Sequence, residues 1–483
     1  MFDLNHSQKE AIGLTFILNK LVPDSPYGIE KKKQITPFGQ AGLVAITECF
    51  DNMEKIMAFS KQDRQLLDAL RRQLMQLKNV RGIIKKCEQS ALHEVELFEV
   101  KSFLLTFEKL FNTFGEANKK MKLTGINFES MDCALNILDP EYKRIPPFSI
   151  NEMYSATLGE VRRKKLQIEK KIQLEVNLSE TLLRERQKLV EQEVAEEMRV
   201  MGVLSKELRV YTQIFNDNME MLGHLDLLIA KVLLANEHDA IRPKISTIQR
   251  VVLTQMSNPY VADALAKRGE NLTRTSITLD SGVTMITGAN MGGKSVAIKT
   301  MVLNTVLCQL GFFVFAEAAE IPLFDGIAFI SGDMQDIDQG LSTFGAEISY
   351  FNDIVKQLKT DFLFVALDEF ARGTNPDEGA AIVRAVASYL ADTGAISVMT
   401  THYDQVVTPE FKHYQVVGLR FADIEEIRKR GGLHIQKIAK YMDYTLIPSD
   451  ATTLPPRDAL NICRLIELDA AVLAQIEIAY QNR

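Results

Sequence analysis

The stretch TGANMGGKS, at residues 287–295, carries the clearest chemical pattern in the chain. Four residues separate Gly288 from Gly293, and Lys294 and Ser295 follow, which is the spacing of a phosphate-binding loop. Glycines let backbone N–H groups crowd around a phosphate, and a lysine neutralises its charge. The expected ligand is ATP, and the residues expected to bind it are Gly288, Ala289, Asn290, Met291, Gly292, Gly293, Lys294 and Ser295. The alternative is a glycine-rich turn without a ligand.

Two acidic residues and a histidine stand at the ends of later apolar runs. Asp368 and Glu369 close one run, and His402 follows another. We expect Asp368 to hold Mg²⁺ together with the hydroxyl of Ser295. Glu369 would orient or deprotonate the water that attacks the γ-phosphate, and His402 would reach the same phosphate. The alternatives are a solvated strand end for the acidic pair and an ordinary strand-end histidine.

A parallel sheet is needed to bring these residues together. The residues before Gly288 are β-branched and apolar, which predicts a strand, and residues 296–311 have apolar side chains at helical spacing up to Gly311. The apolar run before Asp368 predicts a strand that is buried on both faces. Since α/β sheets bind ligands at the carboxyl ends of their strands, the sequence predicts an α/β P-loop domain with the candidate residues at one edge.

Taken together, these segments resemble the ABC-type ATPases of the MutS family. Residues 287–295 are similar to that family's phosphate loop, residues 367–382 to its Asp-Glu strand and the loop after it, and residues 400–403 to its histidine switch. Residues 339–348, QGLSTFGAEI, resemble its signature loop. The resemblance implies a homodimer with composite ATP sites, in which Ser342 approaches the γ-phosphate bound by the other subunit.

The resemblance continues upstream, where residues 78–100 and 136–172 are similar to core and lever segments of the shorter bacterial branch of the family. Two departures affect the expected function. We expect the chain to lack the family's mismatch-recognition domain and its C-terminal Smr nuclease domain. Phe114-Gly115-Glu116 and Phe315-Ala316-Glu317 match the spelling of the family's DNA wedge, but their helical or ATPase context favours chance.

A compact MutS-like chain of this kind also resembles the ATPase subunit of lysine 5,6-aminomutase reactivase. That resemblance implies a protein client, such as an aminomutase, on which the levers would act. The alternative is a DNA-binding MutS-family ATPase in mismatch repair or recombination control. The net charge of −7, the missing DNA modules and a reduced clamp favour the protein client, so we expect only weak, salt-sensitive DNA binding.

The predicted fold class is multidomain, with an all-α core and lever region before an α/β P-loop (ABC-type) ATPase domain and a C-terminal helical dimerisation element. The predicted segments are a helical core domain at 1–150, lever helices at 151–244, the ATPase domain at 245–456 and a dimerising helix-turn-helix at 457–483. The alternatives are a solvated helical arm for the levers and a domain-capping helix pair at the end of the chain.

Glycine and proline positions set the finer expectations. Residues 160–201 contain neither, which predicts two long helices joined near 177–181, with little room for a clamp domain. Loops are expected at 23–39 and 139–149, and a continuous amphipathic helix at 64–87.

The amino-acid composition limits the classes of protein to which this chain can belong. The 483 residues include five cysteines without a C-x-x-C pair, and the histidines show no metal-ligand spacing. The first residues are polar, and no apolar run has the length of a membrane span. We therefore expect a cytoplasmic protein with reduced thiols.

Overall fold

The structure is a computed structural model that describes residues 4–174, 180–288, 293–331, 343–403, 406–419, 442–450, 458–465 and 468–481. The chain divides into two compact units that are each built from separate stretches. Unit 1 contains Met1–Leu21, Thr36–Asp51 and Leu233–Arg483, and unit 2 contains Val22–Ile35 and Asn52–Val232. None of the described helices combines the length and apolar content that a membrane span requires.

The helices and strands are numbered in chain order. The helices are α1 (His6–Ala11), α2 (Leu14–Lys20), α3 (Pro26–Lys33), α4 (Leu43–Gln62), α5 (Arg64–Gln76), α6 (Arg81–Cys87), α7 (Glu94–Met121), α8 (Asp132–Leu138), α9 (Ala156–Leu174), α10 (Glu180–Arg209), α11 (Thr212–Glu237), α12 (Pro259–Ala266), α13 (Lys294–Gln309), α14 (Thr343–Gln357), α15 (Pro376–Ala391), α16 (Asp458–Leu465) and α17 (Ala470–Gln481). The strands are β1 (Lys244–Ile245), β2 (Arg250–Met256), β3 (Thr275–Asp280), β4 (Gly282–Thr287), β5 (Ala318–Ile321), β6 (Gly326–Ser331), β7 (Leu363–Asp368), β8 (Ile396–Thr400), β9 (Lys412–Leu419) and β10 (Met442–Ser449).

The larger sheet of unit 1 has the strand order β10-β9-β4-β8-β7-β6. Neighbouring strands pair in parallel from β9 through β4, β8 and β7 to β6. Strand β10 lies at the edge and pairs antiparallel with β9. Every residue of β4, β6, β7 and β8 is buried, which explains why these strands are apolar runs without alternation. The predicted strands before Gly288 and through Asp368 are both present, and their carboxyl ends lie at the same edge.

Two N-terminal stretches belong to unit 1 because their polar and apolar groups contact its later elements. Asn258 Nδ2 donates to the Ile12 carbonyl at 3.0 Å, and the Phe50 and Phe313 rings lie 6.0 Å apart. This division differs from the predicted boundaries at 150 and 245, which followed the order of motifs along the chain. The functional assignment of those segments stays a prediction.

Unit 2 is helical, and it includes the predicted long pair as α9 and α10. Ion pairs join the two helices, with Arg162 Nε 2.8 Å from Glu193 Oε1 and Arg186 Nε 2.9 Å from Glu169 Oε1. The predicted junction at 177–181 lies only partly within the described residues, where α9 ends at Leu174 and α10 begins at Glu180.

The prediction of one continuous helix over 64–87 is wrong. Helix α5 ends at Gln76, and α6 begins at Arg81. The buried hydroxyl of Tyr27 explains the break, because it donates to the Lys78 carbonyl at 2.8 Å and accepts from the Val80 N–H at 3.2 Å. A distant side chain thus takes backbone groups that a continuous helix would pair internally.

The prediction of an uninterrupted loop over 23–39 is also wrong, because α3 lies within it. Ser25 caps this helix by accepting from the Gly28 N–H, and Pro26 occupies its first turn. The fully buried Asp226 accepts from the Asp24 N–H at 2.9 Å, the Ser25 N–H at 2.7 Å and the Ser25 hydroxyl at 2.6 Å. Burial raises the pKa of Asp226, and these hydrogen bonds oppose that shift.

Replacing Asp226 tests whether it holds the start of α3. Asp226→Ala leaves three donors, two of them buried, without their acceptor, so we expect the free energy of unfolding to fall by about 3 kcal/mol, measured by urea denaturation. Asp217→Ala on the same helix is the matched control, because Asp217 is exposed. Both variants replace aspartate by alanine within a helix, so both gain the same helix propensity. Equal stability of the two variants would contradict this role.

Candidate active site

Lys294 begins helix α13 at the carboxyl end of β4 and is only 4% exposed. Its Nζ donates to the Gly288 carbonyl at 2.8 Å and lies 4.0 Å from Glu369 Oε1. Burial lowers the pKa of Lys294, and the charges of Glu369 and Asp368 oppose that shift. A buried ammonium at the first turn of a helix suits the binding of an anion, because helix N–H groups and the lysine point to the same place.

Both glycines that bracket the loop are required by geometry. Gly288 has φ +140° and Gly293 has φ +82°, which L side chains rarely adopt. A Cβ on Gly288 would lie 3.0 Å from Val416 Cβ, and one on Gly293 would lie 2.8 Å from Tyr444 Cδ1. Residues Ala289, Asn290, Met291 and Gly292 lie outside the described residues, so their contacts with ATP stay predictions.

Asp368 lies at the end of β7 and accepts two hydroxyl hydrogen bonds on one oxygen. Ser295 Oγ donates to Asp368 Oδ1 at 3.0 Å, and Thr400 Oγ1 donates to the same atom at 2.7 Å. Burial raises the pKa of Asp368, and the Thr400 and Ser295 hydrogen bonds oppose that shift.

The donor atoms of this pair fit Mg²⁺. A carboxylate oxygen and a hydroxyl oxygen 3.0 Å apart, Asp368 Oδ1 and Ser295 Oγ, are hard oxygen ligands. Mg²⁺ keeps several waters and takes few protein ligands, so a site of two side chains is sufficient. Within the described ranges, no group of three or more His, Cys, Asp or Glu side chains could hold a metal ion.

Glu369 follows Asp368 and faces Lys294. Its carboxylate is 14% exposed and also lies 2.6 Å from Arg372 Nη1. Its N–H donates to Thr400 Oγ1 at 2.9 Å, so the Thr400 hydroxyl connects the two acidic residues. Sequence reasoning did not assign Thr400 a role, although its position at the end of a strand beside β7 could have suggested one.

Two predicted residues are not brought to this cluster by a described contact. His402 is exposed, and its ring packs against Tyr403 with the ring centroids 4.3 Å apart. Ser342 lies outside the described residues. The approach of both residues to a γ-phosphate stays a prediction.

A cavity of about 650 Å³ opens beside Lys294, Ser295 and Glu369. Its lining also includes apolar and aromatic side chains, such as those of Leu272 and Tyr444. The volume is in the range of small-molecule sites, and the lining combines charged and apolar groups. Tyr444 was missed from the sequence because it lies on β10, far along the chain from the glycine loop.

Comparison with known proteins identifies a related domain. Residues 284–442 match the family model described as MutS domain V. Endonuclease MutS2 of Leuconostoc mesenteroides is 35% identical over 223 residues, which cover 46% of this chain and 27% of that protein. Endonuclease MutS2 of Leuconostoc citreum is 33% identical over 264 residues, covering 54% of this chain and 32% of that protein. Endonuclease MutS2 of Pediococcus pentosaceus is 36% identical over 225 residues, which cover 46% of this chain and 27% of that protein.

The chain thus matches about a third or less of the length of these relatives. Nothing in the comparisons supports the lysine 5,6-aminomutase reactivase subtype. The matched domain and the MutS2 relatives instead support a MutS-family ATPase, with residues 284–442 as the segment that is similar to MutS domain V.

Proposed function

We propose that this protein binds Mg²⁺–ATP in the cavity beside Lys294, hydrolyses the γ-phosphate, and couples this reaction to work on DNA. The observation that carries the ATPase part is the cluster formed by Lys294, Ser295, Asp368, Glu369 and Thr400 at one edge of the sheet. Its hydroxyl, carboxylate and ammonium groups are those that phosphoryl transfer to water requires.

Each side chain has a distinct task. The Lys294 ammonium neutralises phosphate oxygens, and Ser295 and Asp368 would hold Mg²⁺, which would supply further positive charge against the phosphates. Glu369 accepts a hydrogen bond from the attacking water and orients it. Thr400 donates to Asp368 and accepts from the Glu369 backbone, so it sets the distance between the metal ligand and the base. Catalysis then comes mainly from positioning.

Apolar and aromatic side chains of the same cavity suit the base of the nucleotide. Tyr444 offers an aromatic face, and Leu272 provides apolar contact.

We further propose that two chains assemble as a dimer with composite ATP sites. Ser342 would complete the site of the other subunit, and His402 would reach the γ-phosphate. Support comes from the resemblance of residues 339–348 and 400–403 to the signature loop and histidine switch of the MutS family.

The choice of DNA as the client rests on the relatives. Their printed name, Endonuclease MutS2, denotes proteins that act on nucleic acid. A protein client is the second candidate, because basic side chains on α9 and α10 are paired with glutamates. Arg162, for example, contacts both Glu193 and Glu197 at 2.8 and 2.7 Å, which leaves less positive charge for phosphates.

Removing Lys294 should weaken ATP binding. Lys294→Ala deletes a charge-assisted hydrogen bond in a buried site, so we expect the affinity for a labelled ATP analogue to fall about 10- to 100-fold in a titration. Lys356→Ala, which removes an exposed lysine of α14, is the control and should bind like the parent. Parental affinity in Lys294→Ala would remove the phosphate-binding assignment.

Replacing Glu369 should separate binding from turnover. Glu369→Gln retains the shape but gives up the negative charge that polarises the water, so kcat should fall at least about 100-fold while ATP affinity stays within about threefold. The exposed Glu378→Gln is the matched control. Steady-state ATPase assays with equilibrium binding measure both values, and parental kcat in Glu369→Gln would exclude Glu369 as the base.

The salt dependence of the affinity for DNA tests whether DNA is the client. If DNA is the client, affinity for homoduplex or four-way-junction DNA in the presence of an ATP analogue should fall at least about tenfold between 50 and 200 mM salt, which corresponds to about two phosphate contacts. Fluorescence anisotropy gives the slope. Absence of binding at the lower salt would reject DNA and favour the protein client.

A further inference from the structure

The turn after β7 has an unusual backbone. Glu369 has φ +50° and Ala371 has φ +60°, so two non-glycine residues within three positions adopt the left-handed conformation. This conformation places the Cβ close to a carbonyl oxygen and is disfavoured for L residues. Such a turn persists only where surrounding groups hold it.

Two side chains hold the polar groups of Ala371, which is fully buried. Its N–H donates to Glu347 Oε2 at 2.9 Å, and its carbonyl accepts from the Tyr403 hydroxyl at 2.8 Å. Glu347 lies on α14 and is 2% exposed, and Tyr403 follows β8 and is 8% exposed. The two backbone polar groups of a buried residue are therefore held by side chains from different parts of the fold.

The buried Glu347 is itself disfavoured as a charged group. Burial raises its pKa, and the hydrogen bond from the Ala371 N–H opposes that shift. A carboxyl group buried in this way needs its hydrogen bond. Burial of the Glu347 carboxyl group is therefore unfavourable, and its hydrogen bond with the Ala371 N–H offsets part of that cost.

Gly379 on α15 leaves room for the tyrosine. A Cβ at this position would lie 2.3 Å from the Tyr403 hydroxyl oxygen and 3.2 Å from the Ala371 carbonyl oxygen. Glycine inside a helix normally costs stability relative to alanine. Here the missing side chain is what allows the hydroxyl to reach the turn.

We propose that Glu347 and Tyr403 are positioning residues that hold Glu369 in its reacting orientation, with Gly379 providing the space. The inference rests on the proposed ATPase function. The left-handed turn directs the Glu369 carboxylate toward Lys294, 4.0 Å away, and it starts from the residue whose N–H contacts Thr400. Loss of the Ala371 contacts lets the turn relax and moves the base, while Lys294 and Ser295 stay in place.

The kinetic test separates positioning from binding. Tyr403→Phe and Glu347→Leu should each lower kcat about tenfold or more, with the affinity for ATP within about threefold of the parent. Glu347→Gln retains a carbonyl acceptor for the Ala371 N–H and should recover most of the loss. Gly379→Ala should lower kcat as well, although the change favours the helix. Unchanged kcat in Tyr403→Phe and Gly379→Ala overturns the proposal, and so does a parallel loss of ATP affinity.

A second readout does not depend on ATP. Arg372 is exposed within the same turn, and trypsin cleaves after arginine. We expect faster cleavage after Arg372 in Tyr403→Phe and Glu347→Leu than in the parent, with unchanged circular dichroism and unchanged cleavage elsewhere. Equal cleavage rates overturn the proposal that Glu347 and Tyr403 hold the turn. If the parent itself hydrolyses no ATP, the proposed function fails, and the cleavage pattern still decides whether these residues hold the turn.

Should Glu347→Leu fail to fold, Tyr403→Phe carries both tests and Gly379→Ala carries the kinetic one, because Tyr403→Phe removes only the hydroxyl that contacts the Ala371 carbonyl. Tyr389→Phe on α15 is the matched control for the tyrosine, since Tyr389 is exposed and should leave both kcat and cleavage unchanged.

Discussion

The parallel pairing of β7 with β8 sets Asp368 directly opposite Thr400, and the pairing of β8 with β4 sets Thr400 opposite Ile286. The arrangement of the candidate site depends on this register. Side chains alternate between the faces of a strand, so a slip of one residue would turn the Thr400 hydroxyl away from Asp368. The same alignment lets Thr400 donate to Asp368 and accept from the Glu369 N–H. It also fixes where the glycine loop begins after β4.

Burial shifts the pKa values of Lys294 and Asp368, two charged groups of the site, in opposite directions. It lowers the pKa of Lys294 and raises that of Asp368, so both charged forms are disfavoured by their surroundings. A polyphosphate would offset the cost at Lys294, and a divalent cation would offset the cost at Asp368. The site is therefore better matched to the phosphate–metal pair than to either alone, which agrees with the proposed ATPase chemistry.

Local patterns made much of the candidate site's framework predictable. The apolar runs of β4 and β7, the glycine spacing and the helix after Lys294 are each encoded by neighbouring residues, and all are present. The errors have distant causes. The hydroxyl of Tyr27 interrupts the helix predicted over 64–87, and Asp226 holds the start of a helix inside a predicted loop.

The site shows the same limit. Tyr444 on β10 and Tyr403 after β8 take part through contacts between segments far apart in the chain, and no spacing rule connects them to the glycine loop. Glu347 belongs to the segment that resembled a signature loop, yet its bond to the Ala371 N–H was not foreseen, because it depends on an unusual backbone conformation.

The composition of unit 1 has a consequence for biosynthesis. Its stretches Met1–Leu21 and Thr36–Asp51 leave the ribosome before most of unit 2, which continues from Asn52 to Val232, but their partners are made only after residue 232. Ile12 cannot bind Asn258, and Phe50 cannot pack against Phe313, until those later residues have been synthesised. The helices of Asn52–Val232 can already pack together at that stage. During translation these early segments lack their native partners, and unit 1 becomes complete only as its last strands are added.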